Sequence, residues 1–130
     1  MATTLIPTLT IKDSTTFSDE ISFSVTDSLT VTSPSQSLST ATATTTGGDT
    51  IIVPSVDVRR YLFVRHTGKD SGGSTVTTDL KIEEGDGNWF SLLAAGEWLF
   101  TPINANGAQK IQIEASGGTI VTEYAYWTKA

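Results

Sequence analysis

Thr8-Leu9-Thr10-Ile11-Lys12, followed by Phe17 and then Ile21-Ser22-Phe23-Ser24-Val25-Thr26-Asp27-Ser28-Leu29-Thr30-Val31-Thr32, is the stretch that decides the fold. Between Thr8 and Thr32 every large apolar residue sits at an odd position: Leu9, Ile11, Phe17, Ile21, Phe23, Val25, Leu29 and Val31. Every even position is polar. A period of two is the pattern of extended chain with one dry face and one wet face. At ~3.3 Å per residue the stretch would reach roughly 80 Å, several times an ordinary strand of about 17–20 Å. It must therefore fold into hairpins or project as an arm laid on another surface. Burial of its apolar residues does no more than match the backbone entropy lost on ordering it, so the dry face needs a covering partner, in this chain or another. These eight residues are the candidate partner interface.

Inside the stretch lies a weak repeat at a spacing of fourteen. Leu9 to Phe17 and Phe23 to Val31 share the order apolar, hydroxyl, apolar, any, Asp, Ser, any, Thr, apolar. The pairs Asp13-Ser14 and Asp27-Ser28 read as turns, because short polar side chains bond nearby backbone. Asp13, Asp19 and Asp27 share the parity of the apolar residues, which again favours interruption of the dry face. They lack the spacing of a calcium loop.

Outward from here the composition changes twice. Thr and Ser make up nearly half of residues 1–50. Residues 33–50, from Ser33-Pro34-Ser35 to Thr46-Gly47-Gly48-Asp49, have too little apolar content for a core of their own and read as a linker, with room for an edge strand around Ala41 and Ala43. Residues 50–130 read as a compact β domain. Thr50 to Val53 is a short strand stopped by Pro54. Val56 to His66 alternates with bulk on both faces, Arg60, Leu62, Val64 and His66 against Arg59, Tyr61, Phe63 and Arg65, as in a strand inside a sandwich or at a subunit contact. Thr75 to Glu83 points Val76, Thr78, Leu80 and Ile82 inward. Gly85-Asp86-Gly87-Asn88 is a hairpin signal. Trp89–Leu93, Trp98–Ile103, Gln109–Glu114 and Thr119–Trp127 follow, with turns at Ala94-Ala95-Gly96-Glu97 and Ser116-Gly117-Gly118. About seven strands with a turn every eight to twelve residues indicate a sandwich or small barrel. The expected class is all-β: a small antiparallel β-sandwich or jelly-roll-like domain over 50–130, with an extended N-terminal β arm and linker over 1–49.

Charge and residue usage narrow the function classes. The net charge is −6, from 14 acidic and 8 basic residues. Nucleic-acid binding needs clustered Lys and Arg, and the nearest cluster, Arg59, Arg60, Arg65, His66 and Lys69, is spread over both faces of a strand and reads as solvated edges and salt bridges. Cysteine is absent, which removes disulfides and thiolate chemistry. The start Met1-Ala2-Thr3-Thr4 has no basic n-region, and the chain has no apolar run of membrane length, so neither a leader nor a membrane span is expected. The single histidine, His66, has no nucleophile elbow to serve. Glu83 and Glu84 are adjacent on a strand and so face opposite ways, which excludes a paired-carboxylate site. Lys69 to Ser74 is Gly-rich but lacks the order of a phosphate loop. No enzyme, cofactor, metal or small-molecule substrate is expected. Trp89, Trp98 and Trp127 with Tyr61, Tyr124 and Tyr126 read as core or subunit-interface residues, with a sugar-stacking platform as the alternative.

The segments Tyr61-Leu62-Phe63-Val64-Arg65-His66-Thr67-Gly68, Leu80-Lys81-Ile82 ahead of Gly85-Asp86-Gly87, Ala94-Ala95-Gly96-Glu97-Trp98-Leu99-Phe100, Ile111-Gln112-Ile113 and Thr122-Glu123-Tyr124 resemble small β-sandwich virion proteins of tailed bacteriophages, notably those of marine and cyanobacterial hosts. The resemblance spans 50–130, and more loosely 8–33. It implies a virion structural protein, made in the host cytoplasm: a capsid decoration or cement protein, or else a tail or neck component. The implied partners are copies of the chain itself and a major capsid or tail protein. A glycan-binding module is the alternative from a different class.

Overall fold

The computed structural model describes residues 1–12, 22–45, 50–54, 58–85, 88–104 and 110–130. Its elements are all strands: β1 (Thr3–Leu5), β2 (Thr8–Lys12), β3 (Ser22–Thr26), β4 (Leu29–Thr44), β5 (Thr50–Val53), β6 (Arg59–His66), β7 (Leu80–Glu84), β8 (Trp89–Leu93), β9 (Trp98–Asn104), β10 (Ile111–Ala115) and β11 (Thr119–Lys129). They form a five-stranded sheet of order β1-β4-β11-β6-β9, a four-stranded sheet of order β5-β10-β7-β8, and a separate β2-β3 pair. Every pairing is antiparallel.

With β1 set aside, the eight strands β4 to β11 lie as β4-β11-β6-β9 over β5-β10-β7-β8, which is the order of a jelly roll. The all-β sandwich expected from the strand pattern is what the chain forms. Its core lies between the two sheets. Ala43, Leu62, Val64 and Ile120 come from the first sheet; Ile52, Val53, Leu80, Ile82, Leu93, Ile111, Ile113 and Ala115 come from the second. Tyr124 and Tyr126 pack against this cluster.

Residues 33–44 are not a linker. They belong to β4, which β11 borders from Val31 to Thr44 and β1 borders at Leu29–Val31. Composition misleads here because a strand inside a sheet draws its stability from ladders on its sides rather than from its own apolar bulk. Small residues even suit the site, since Ala43 is fully buried opposite Ile120. The most linker-like part is a bulged length of strand around the Gln36–Tyr126 pair. Side chains secure it: Ser35 Oγ donates to the Thr32 carbonyl at 2.8 Å, and the Thr128 hydroxyl donates to the Pro34 carbonyl. The boundary expected near Gly48 lies outside the described residues.

Other expectations are revised locally. The strand expected from Thr75 is shorter and starts at Leu80. The turn Ala94–Glu97 carries the chain from the second sheet to the first, so β8 and β9 are not a hairpin. Among β4 to β11 only β7 and β8 are consecutive neighbours within one sheet. The basic residues Arg60 and His66 are fully buried rather than solvated. The Gly68 N–H donates to His66 Nδ1 at 2.9 Å, so the ring proton sits on Nε2 and is donated to the Thr78 carbonyl, also at 2.9 Å. His66 thereby bridges the two ends of the loop that leaves β6 and enters β7. Glu83 is buried as well.

Candidate docking surface

The dry face of the leading stretch is partitioned. β2 and β3 form an antiparallel pair in the register Leu9↔Val25 and Ile11↔Phe23. Alternation places these four on one face of the hairpin. The opposite face is zipped by hydroxyls: Thr8 Oγ1 to Thr26 Oγ1 at 3.0 Å and Thr10 Oγ1 to Ser24 Oγ at 3.2 Å. The Asp27 N–H donates to the Pro7 carbonyl at 3.2 Å and closes the base. Leu9, Ile11, Phe23 and Val25 remain 40%, 42%, 45% and 57% exposed. A lone two-stranded hairpin is marginal in water, and this one holds four large apolar side chains half out of the protein.

The other candidates fall elsewhere. Leu29 opens β4 and is half-buried, opposite Leu5 of β1. Val31, two residues on, is fully buried and belongs to the folded body rather than to a free interface. Phe17 and Ile21 lie outside the described residues.

The hairpin does not stand apart from the sandwich. A groove of about 470 Å³ runs between it and the outer face of the first sheet. Pro7, Leu9 and Val25 line the hairpin side; Leu29, Tyr61, Phe100 and Pro102 line the sheet side; Asp27 and Lys129 are the charged members. The outer face itself is aromatic. The register pairs Tyr61 with Pro102 and with Trp127, and Phe63 with Phe100. The rings of Tyr61 and Phe100 lie parallel within 8° at 6.0 Å, Phe100 meets Trp127 at 6.4 Å, and Lys129 Nζ sits 4.5 Å above the Tyr61 ring. Leu9 and Val25 thus join the hairpin's dry face to this aromatic stripe, and Ile11 and Phe23 carry the apolar surface outward along the hairpin.

Covering the four hairpin side chains, about half of each being already sheltered, would contribute roughly 3–6 kcal/mol. That falls short of or only meets the ~4–15 kcal/mol lost on association. A stable contact must therefore also draw on the stripe around Tyr61 and Phe100. The sequence carries a signal for the stripe: Arg59, Tyr61, Phe63 and Arg65 alternate with buried partners and put bulk on the outer face. Nothing in the linear pattern pairs that signal with the hairpin.

Two of the three tryptophans, Trp89 and Trp98, are about half exposed rather than in the core. Trp98 shares an open recess of about 460 Å³ with Phe63, Arg65 and Gly96. Arg65 pairs with Glu123 at 3.4 Å. Among the described residues no group of three or more His, Asp or Glu is placed to hold a metal ion, and no helix is long and apolar enough to cross a membrane. No family model, no curated protein and no solved structure matches this chain.

Proposed function

We propose that this chain is a non-enzymatic virion structural protein, of the decoration or cement kind, that docks on a larger shell or tube through its β2–β3 hairpin and the adjoining aromatic stripe. The observation that carries this reading is the uncovered face of Leu9, Ile11, Phe23 and Val25, continuous with the groove over Tyr61 and Phe100. An apolar surface of this kind beside a separately packed core supports a docking reading. The jelly-roll order is compatible with it, being common in capsid and lectin domains alike, although fold alone does not assign function. The resemblance read from the sequence segments over 50–130 implies the same class, with a tail or neck position as the variant of this reading.

The test is electron microscopy and protein mass spectrometry of particles purified from the producing cells. The chain is expected at fixed symmetric positions and in stoichiometric amount. A chain found only in the soluble fraction ends the proposal.

The exposure of Trp98 beside Phe63, Arg65 and Glu123 favours one second reading, a glycan-binding module in which the indole stacks on a sugar ring and the charged pair meets hydroxyls. A glycan array separates the two: binding that is lost in Trp98→Ala without loss of fold supports the module, and an empty array removes it.

A further inference from the structure

Among the described residues the sandwich has four edge strands, and they are not equally guarded. β1 is three residues long and is followed within two residues by Pro7. β5 ends at Pro54. β9 contains Pro102. His66 exchanges backbone bonds with Glu97 and Gly96, so by alternation Tyr61↔Pro102 is a non-bonded pair, and the position lacking an N–H faces the free side of β9. Prolines of this kind prevent a second chain from adding to a sheet.

β8 carries no such proline; its one irregularity is a bulge at Phe90 in its pairing with β7, where Ser91 and Trp89 oppose the consecutive residues Ile82 and Glu83. The strand is Trp89-Phe90-Ser91-Leu92-Leu93, with no proline and no charge. Among the described residues β7 is its one neighbour. Trp89, Phe90 and Leu92 are each roughly half exposed. Residues 87–96 form an uncharged run in a chain of net charge −6. Two copies of an acidic protein repel over most of their surfaces, and contact is least opposed where charge is missing.

We propose that β8 is the copy-to-copy contact of this protein: two chains pair their β8 strands antiparallel about a two-fold axis and continue the four-stranded sheet from one copy into the next. An axis through Ser91 sets that serine against its own copy, Phe90 against Leu92 of the second copy, and Trp89 against Leu93. Every flanking pair is then apolar on apolar. The free backbone groups of each β8 supply the ladder, as in strand addition generally, and the contact is isologous and closes at two. This deepens the assembly reading by assigning copy contacts to β8, which leaves the hairpin for the shell.

Sedimentation velocity over a concentration series tests it, on the wild type and on Leu92→Lys, Phe90→Lys and the hairpin pair Leu9→Ser/Val25→Ser. The wild type is expected to move from one to two chain masses as concentration rises. Each lysine variant is expected to weaken association ~10-fold or more, the scale of removing a central apolar anchor, while the hairpin pair associates as the wild type does. Amide hydrogen exchange on the wild type gives a reading free of mutation: β8 amides should slow as dimer accumulates. A wild type that stays at one chain mass, a dimer unmoved by Leu92→Lys, β8 amides indifferent to concentration, or a dimer lost with the hairpin pair would each overturn the proposal. The last outcome would leave hairpin docking standing, and a β8 dimer absent from particles would leave the dimer standing without the shell.

Discussion

Leu9 of β2 faces Val25 of β3 as a direct cross-strand partner, and both side chains line the groove whose far wall holds Tyr61 and Phe100. One pair of residues thus belongs both to the hairpin's dry face and to the cleft against the sandwich. The hairpin is placed with its apolar side continuous with an aromatic surface that is already formed, so docking requires little new ordering of the body beneath.

A change confined to that face should separate docking from folding. In Ile11→Ser/Phe23→Ser only the sheltered half of each side chain is lost, so unfolding free energy by urea titration should fall by no more than roughly 1.5–3 kcal/mol. Incorporation into particles should fall at least tenfold. A large loss of stability would place these residues in the fold instead.

His66 makes the opposite prediction. It is fully buried and bonded to the Gly68 N–H and the Thr78 carbonyl. His66→Leu fills much of the volume and leaves both backbone groups unpaired, at ~1–3 kcal/mol each. A loss of roughly 2–6 kcal/mol is expected in chemical denaturation. Nitrogen NMR of the wild type should show the neutral ring with its proton on Nε2.

Arg60 is buried with less support. Its Nη1 donates to the Pro54 carbonyl at 3.0 Å and its guanidinium lies 4.9 Å from the Tyr126 ring centroid, while Nε and Nη2 have no hydrogen-bond partner among the described residues. Burial lowers the guanidinium from its ordinary value, and Tyr126 opposes this to a smaller extent. Replacing a buried, poorly compensated charge by an apolar side chain of similar length is often neutral or stabilising by ~1–4 kcal/mol. Arg60→Met should therefore hold or raise the thermal midpoint, and a marked fall would show that the charge is better compensated than these contacts indicate.

Gly96 occupies the third position of the turn that crosses between the sheets, with φ +88° and a 3.0 Å bond from the Glu97 N–H to the Ala94 carbonyl. This is the position of a type II turn that needs positive φ. Nothing lies within 4 Å of a Cβ built there, so Gly96→Ala should cost the left-handed backbone alone, about 1–2 kcal/mol, as read by thermal unfolding.

The strand pattern was legible where apolar and polar residues alternate with bulk, as in Arg59–His66, whose even positions are all buried; in Thr119–Lys129 the alternation holds only as far as Glu123, and bulges opposite β4 shift it beyond. β4 was not, because Ser33 to Thr44 owes its strand state to β11 and to partners such as Thr128 that are distant in sequence. Of the site, the hairpin half could be read from Leu9, Ile11, Phe23 and Val25. Val31 shares their parity, yet it is buried, since parity fixes a face and not what covers it. The aromatic half could not be joined to the hairpin, because Tyr61, Phe100 and Trp127 meet only through the pairing of β9, β6 and β11.

Side-chain oxidative footprinting of the hairpin tests the docking claim most directly, comparing the isolated chain with the chain in intact particles. Leu9, Ile11, Phe23 and Val25 should label readily in isolation and become protected in the particle, together with Tyr61 and Phe100. Equal labelling of these residues in both states would contradict it.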